Sequence, residues 1–189
     1  MRAAACPMLA LLASILVAGC DRHSPAPEQA TQANAAATPA APSGTGKIDR
    51  SHKGEAAPAF AFTGPDGKPT SLAAFRGKPV LLNLWATWCG PCVKELPTLD
   101  ALAKREGPAL HVVALSQDTD PAKVAPFLRE HGIATLHPFT DAKMAWLPLV
   151  TANLPTTLLF DGNGKEVWRT AGDLDWTGAA ATAALREGR

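Results

Sequence analysis

Apolar residues recur along this chain with two different periods, and the switch between periods marks out its elements. Val80-Leu81-Leu82-Asn83-Leu84-Trp85 is a nearly continuous apolar run, the pattern of a central strand buried on both faces. Further on, apolar side chains fall at Val93, Leu96, Leu99, Leu102 and Ala103, which predicts a helix over Pro91 to Glu106. Pro97 should kink it, because the carbonyl of Val93 loses its donor. Leu110 to Ser116 reads as a second strand, and Pro121 to His131 as a helix ended by Gly132. A short strand at His137 to Phe139 and a short helix at Asp141 to Leu147 follow. Thr156 to Phe160 and Glu166 to Thr170 flank Asp161-Gly162-Asn163-Gly164, a strong hairpin signal. Trp176 to Glu187 reads as the last helix. Ahead of the central strand, Ala59 to Phe62 and Thr70 to Leu72 surround a Gly64-Pro65-Asp66-Gly67 turn, which predicts an N-terminal hairpin. Strands alternating with helices and closing in an antiparallel hairpin imply an α/β sandwich, and no internal repeat is visible.

The first 55 residues follow neither period. Arg2 and the apolar stretch Met8 to Ala18 have the form of a signal peptide, and that stretch is too short to span a bilayer as a helix. Val17-Ala18-Gly19-Cys20 resembles a bacterial lipobox, so residues 1–19 are expected to be cleaved and Cys20 to carry the lipid. Asp21 after it resembles an inner-membrane retention signal, which places the mature protein at the periplasmic face of the inner membrane. Residues 20–55 are rich in Ala, Pro, Thr, Gln and Ser and cannot bury enough surface to offset ordering entropy. They are expected to form a disordered tether with a reach of about 30–35 Å. Residues 56–189 then suit one domain with one core.

Composition narrows the chemistry. A formal net charge of +1, without a basic block or an interleaved aromatic stripe, gives no sign of a nucleic acid partner. The chain has 4 Cys, but Cys6 leaves with the signal peptide and Cys20 becomes the anchor. Only Cys89 and Cys92 remain, so no disulfide framework holds the fold.

Those two thiols stand in Trp88-Cys89-Gly90-Pro91-Cys92, at the junction between the central strand and the helix. Pro91 suits a first helical turn, where its missing N–H has no intrahelical partner. Cys89 then lies at the helix N-terminus, where unpaired N–H groups and the dipole favour a thiolate. Cys92 is about one turn further in and less open to solvent. This is the geometry of an attacking thiol and its resolving partner. Half of a zinc site is the competing reading, but no second Cys-x-x-Cys or His-x3-His supplies further ligands.

Ser71 to Pro97, followed by Ser116-Gln117-Asp118, Leu154-Pro155-Thr156-Thr157 and Asp161-Gly162-Asn163-Gly164-Lys165, resembles the TlpA/ResA-type thioredoxin-like disulfide reductases, in family order. The resemblance covers about Ala57 to the C-terminus. It implies a thioredoxin-like three-layer sandwich with an N-terminal β-hairpin and an insert between the central βαβ strands, from Ser116 to His137–Phe139. It also implies a cis peptide before Pro155, facing the cysteines, with Leu154 offering backbone hydrogen bonds to a substrate. Trp88 is expected as a flat rim beside the Cys89 sulfur, with Gly90 and Pro91 supporting the site. Trp85, Trp146, Trp168 and Trp176 are expected to pack the interior.

The implied activity is reduction of disulfides in extracytoplasmic client proteins by a lipid-anchored monomer without a cofactor. A membrane electron donor of the DsbD/CcdA type would supply it, with possible clients in cytochrome c or copper-protein maturation. Two rivals stand beside this reading. A metallochaperone or client-binding module would want a histidine near the thiols. Of His23, His52, His111, His131 and His137 only His137 is a candidate, and no metal site is expected. A thiol peroxidase would want threonine three residues before the cysteine, where this chain has Ala86, with Thr87 displaced by one. Asn83 departs from thioredoxins themselves, which carry a buried aspartate there. Proton transfer to Cys92 must therefore use water or another group, and Glu95 is expected on an exposed helix face.

Overall fold

In the computed structural model the described residues are 44–150 and 153–189. The expected signal peptide, Cys20 and residues 20–43 of the expected tether lie outside them. The strands are β1 (Lys47–Asp49), β2 (Phe62–Thr63), β3 (Pro69–Thr70), β4 (Val80–Trp85), β5 (His111–Ser116), β6 (Phe139–Thr140), β7 (Thr156–Phe160) and β8 (Glu166–Ala171). Among the described residues these form one sheet in the order β1-β8-β7-β4-β5-β6-β2-β3. The helices are α1 (Gly90–Glu106), α2 (Val124–Glu130), α3 (Leu147–Val150) and α4 (Ala179–Leu185).

β4 lies inside this sheet because its neighbours satisfy both edges of its backbone, β5 in parallel and β7 antiparallel. All six of its side chains are buried, so the apolar run needs no polar alternation. Leu81 and Trp85 point into one apolar layer with Leu96, Leu99, Val124, Trp168 and Leu185, which puts α1, α2 and α4 on that face. Val80, Leu82 and Leu84 point the other way, onto Phe62, Leu72, Phe139 and Trp146. Trp85, Trp146, Trp168 and Trp176 are all fully buried, as their pattern predicts. Truncating a buried leucine of β4 such as Leu82 would cost about 2–5 kcal/mol.

α1 crosses from β4 to the parallel β5, so the carboxyl end of β4 and the amino end of α1 meet at one rim of the sheet. The helix continues through Pro97, carries Lys104 and Arg105 in its last turn and has no acidic residue in its first. That charge pattern complements the helix dipole.

Three expectations need correction. Residues 44–55 are not part of a tether: Lys47–Asp49 pairs antiparallel with Ala171–Arg169, and Ile48 packs against the core. Composition masks this because an edge strand needs only one inward side chain and a neighbour's backbone. Asp141 to Leu147 is not a helix. The Asp141 carboxylate accepts the Trp146 N–H at 3.0 Å and its carbonyl accepts that of Met144 at 2.8 Å, fixing a loop in which Met144 has φ 50. The helical turn follows it, as α3. The last helix starts at Ala179 rather than Trp176, because Asp175 accepts from the Thr177 and Gly178 N–H groups and holds a turn there. The N-terminal hairpin is present, with two residues in each arm, and Gly67 (φ 77) supplies the positive φ of its turn.

Candidate active site

Cys89 is the N-cap of α1. Its backbone is extended, its carbonyl accepts the Val93 N–H at 3.0 Å, and its sulfur accepts the Cys92 N–H at 3.3 Å. Sulfur therefore occupies the position where a capping oxygen usually stands, facing the free N–H groups of the first turn. The positive end of the helix dipole lies at this sulfur. Pro91 sits in that first turn, where its missing donor costs nothing, and a side chain at Gly90 would meet open space.

The pair is joined here as a disulfide, with Cα atoms 5.3 Å apart. Its two cysteines are both buried but differ in degree: Cys89 is 7% exposed and Cys92 not at all. Trp88, at 66%, projects from the turn before Cys89. The Leu154–Pro155 peptide is cis. Thr156 pairs with Leu84 at the end of β4, which brings Pro155 to the same rim as Cys89. Leu154 is half-buried against the cluster that holds both cysteines, and the Pro155 carbonyl accepts from Gly172 N–H.

Glu95 reverses its sequence expectation. It is 3% exposed and lies one turn beyond Cys92 on the buried side of α1. Asn83 Nδ2 donates to its Oε1 at 2.7 Å, and the Leu174 N–H and Trp176 Nε1 donate to Oε2 at 3.1 and 3.3 Å. Desolvation outweighs these three donors and, with the Asp173 charge nearby, raises its pKa to about 7. Glu95 also borders a cavity of about 170 Å³ lined by Lys94, Thr98, Asp173 and Thr177, among others. The signal was present in the sequence: with Cys92, Leu96, Leu99 and Leu102 buried, a residue three after Cys92 falls inside the stripe. Asn83, which also donates to Thr157 Oγ1 at 2.9 Å, holds this carboxyl from the sheet side.

The described residues contain no group of three or more metal-ligating side chains. His131 stacks on Phe127, and His111 lies edge-on to Phe75.

A family model described as Redoxin matches residues 52–185. The chain belongs to the Redoxin family. It is 32% identical over 121 residues to the thiol-disulfide oxidoreductase ResA of Bacillus anthracis, which covers 64% of this chain and 70% of that protein. With the thiol:disulfide interchange protein DsbE of Escherichia coli K12 it shares 40% identity over 101 residues, 53% of each chain. A DsbE structure from Chlorobium tepidum aligns at a TM-score of 0.63 with 28% identity, covering 72% of this chain and 96% of that one. The exposed lipoprotein thioredoxin of Streptococcus pneumoniae aligns at 0.60 with 27% identity, covering 68% and 98%. The thioredoxin-like fold and the TlpA/ResA-type resemblance are thus the right ones. The chain is a thiol-disulfide oxidoreductase of the ResA and DsbE kind, with Cys89 and Cys92 as its pair.

Proposed function

We propose that this Redoxin family member reduces disulfides of extracytoplasmic client proteins while tethered to a membrane. The observation that carries the reading is the asymmetry of the pair: a slightly exposed cysteine at the helix N-terminus, and a fully buried one on the helix face that carries a buried carboxyl. Cys89 thiolate attacks one sulfur of the client disulfide, and the other client sulfur leaves as a thiolate. Cys92 then attacks the Cys89 sulfur, the reduced client leaves, and the enzyme keeps the disulfide. Two electrons pass to the client, and a dithiol donor must return two to the enzyme.

Cys92 has to lose its proton at a fully buried position. Glu95, whose pKa of about 7 lets it exchange protons at working pH, takes it. Side chains three apart on a helix have Cβ atoms about 5–6 Å apart, within reach directly or through one water. Trp88 forms a flat rim for the client, and the Leu154 backbone before cis-Pro155 offers it hydrogen bonds. Gly90 and Pro91 hold the two sulfurs at bridging distance.

Lipid on Cys20 would anchor the domain at the periplasmic face of the inner membrane, with residues 21–43 as the link to the folded body. A structural relative named as an exposed lipoprotein supports the lipid anchor. No helix among the described residues is long and apolar enough to cross a membrane. A DsbD/CcdA-type protein is the matching electron donor, and cytochrome c maturation is the matching setting. The peroxidase alternative is disfavoured by Thr87, whose hydroxyl is committed to Asp118 at 2.6 Å.

The test is trapping. Cys92→Ala should accumulate mixed disulfides with clients through Cys89 that dithiothreitol releases, and Cys89→Ala should trap almost nothing. Trapping confined to Cys89→Ala would reverse the roles. Loss of membrane association in Cys20→Ser tests the anchor separately.

A further inference from the structure

Asp118 lies just past the end of β5, is 4% exposed, and has no role in the reaction described above. Its carboxylate accepts three hydrogen bonds. The Thr87 N–H donates to Oδ2 at 3.0 Å, the Thr87 hydroxyl to Oδ1 at 2.6 Å, and the Ser116 hydroxyl to Oδ2 at 2.7 Å. The Asp118 N–H in turn donates to Ser116 Oγ at 3.0 Å, so the acceptor is itself held. Pairing of β4 with β5 does not depend on this carboxylate, because the Gln117 N–H already donates to the Trp85 carbonyl at 2.8 Å.

Both bonds to Thr87 fall inside one turn. The Cys89 N–H donates to the Ala86 carbonyl at 3.1 Å, and Thr87 and Trp88 are the central residues of that turn. It has two products: the Cys89 sulfur at the head of α1, and the exposed Trp88 ring. Thr87 and Trp88 also form one wall of a groove of about 620 Å³, whose other wall is Ala122, Pro126 and Phe127. A turn held only by its single backbone bond would let Trp88 swing relative to that wall.

We infer that Asp118 is a positioning residue for client selection: by gripping Thr87 through backbone and side chain it fixes the turn that presents Trp88 beside the Cys89 sulfur. This rests on the proposed reading of Cys89 as the attacking thiol and Trp88 as the client rim. A small disulfide needs only the sulfur, whereas a protein disulfide must also seat its flanking chain. Loss of the grip therefore falls on protein clients.

Geometry, and not charge, is what the turn needs. An asparagine carboxamide can replace the carboxylate, its oxygen accepting from Thr87 N–H and the Ser116 hydroxyl and its nitrogen donating to the Thr87 hydroxyl. Alanine can do neither.

The experiment compares the full chain with Asp118→Ala, Asp118→Asn and Thr87→Val, each checked for folding by circular dichroism. Reduction of insulin and of the small disulfide 5,5′-dithiobis(2-nitrobenzoate) is followed, with kcat and KM separated. Asp118→Ala should lose about tenfold in kcat/KM for insulin, the scale of a misplaced reacting group, and stay within about twofold on the small disulfide. Asp118→Asn should recover most of the insulin rate. Thr87→Val, which keeps the backbone bond and loses the hydroxyl one, should fall between wild type and Asp118→Ala, and it carries the test if Asp118→Ala does not fold. Equal losses on both substrates, no loss on either, or an Asp118→Asn protein as impaired as Asp118→Ala would overturn the inference. A wild type inactive on every disulfide would instead overturn the proposed function beneath it.

Discussion

The two ends of the first turn of α1 offer opposite surroundings to the same functional group. Cys89, the N-cap, keeps a little exposure among the N–H groups of the first turn, beside an exposed tryptophan, with no carboxylate in that turn. At Cys92 the sulfur is sealed among Trp85, Leu96 and Leu99 on the buried side of the helix that also carries Glu95. The first cysteine faces the helix N-terminus, and the second faces the buried side that also holds an acid. On the proposed function, that difference assigns attack on clients to Cys89 and resolution to Cys92. Position along the helix supplies the contrast: Cys89 is the N-cap at the head of α1, whereas Cys92 lies within its first turn on the buried face.

Removing the outward sulfur should have the largest effect. Cys89→Ser should abolish insulin reduction, because no other described thiol reaches solvent; residual turnover above background would break the contrast. Next comes Glu95→Gln. General acid–base groups contribute about 10²–10⁴-fold, so the single-turnover release of a mixed disulfide should slow by at least about tenfold. Its pH profile should lose the limb that rises through about 7 as Glu95 becomes able to accept a proton. An unchanged profile would remove Glu95 from the mechanism.

The same carboxyl also shapes stability. Its pKa of about 7 lies above its ordinary value of 4.5, so between those pH values the native protein keeps a proton that the unfolded chain releases. Stability from this group is fully present below about pH 4.5 and is lost as pH rises through about 7, a change of about 3 kcal/mol. Denaturant melts of the oxidised wild type, referenced to Glu95→Gln, should show that fall; a flat difference would contradict the burial argument. The smallest effect belongs to Trp88→Ala. It should raise KM for protein clients several-fold while changing folding stability by no more than about 0.5 kcal/mol, because the ring is exposed.

The sequence made the sheet and the dithiol legible for a simple reason: both are local patterns. Val80 to Trp85 has to be an inner strand, and a Cys-Gly-Pro-Cys run after it has to cap a helix. Glu95 is hard to read because its charge argues for the surface while its helical phase, marked by Cys92, Leu96 and Leu99, puts it in the buried stripe. β1 was missed because its partner, β8, lies more than a hundred residues away in sequence and its own pattern is too short to register. Asp118 belongs to the same class. Nothing near it in sequence says that its acceptors serve Thr87, thirty-one residues upstream. Long-range hydrogen bonds leave no periodic trace.

α1 separates a slightly exposed thiol from a fully buried one, and competitive alkylation of the reduced protein reads that separation directly. With limiting iodoacetamide at neutral pH and peptide mapping by mass spectrometry, Cys89 should be modified at least about tenfold faster than Cys92. Cys92 should react at a comparable rate only after denaturation. Equal labelling of the two in the folded protein, or preferential labelling of Cys92, would contradict the account.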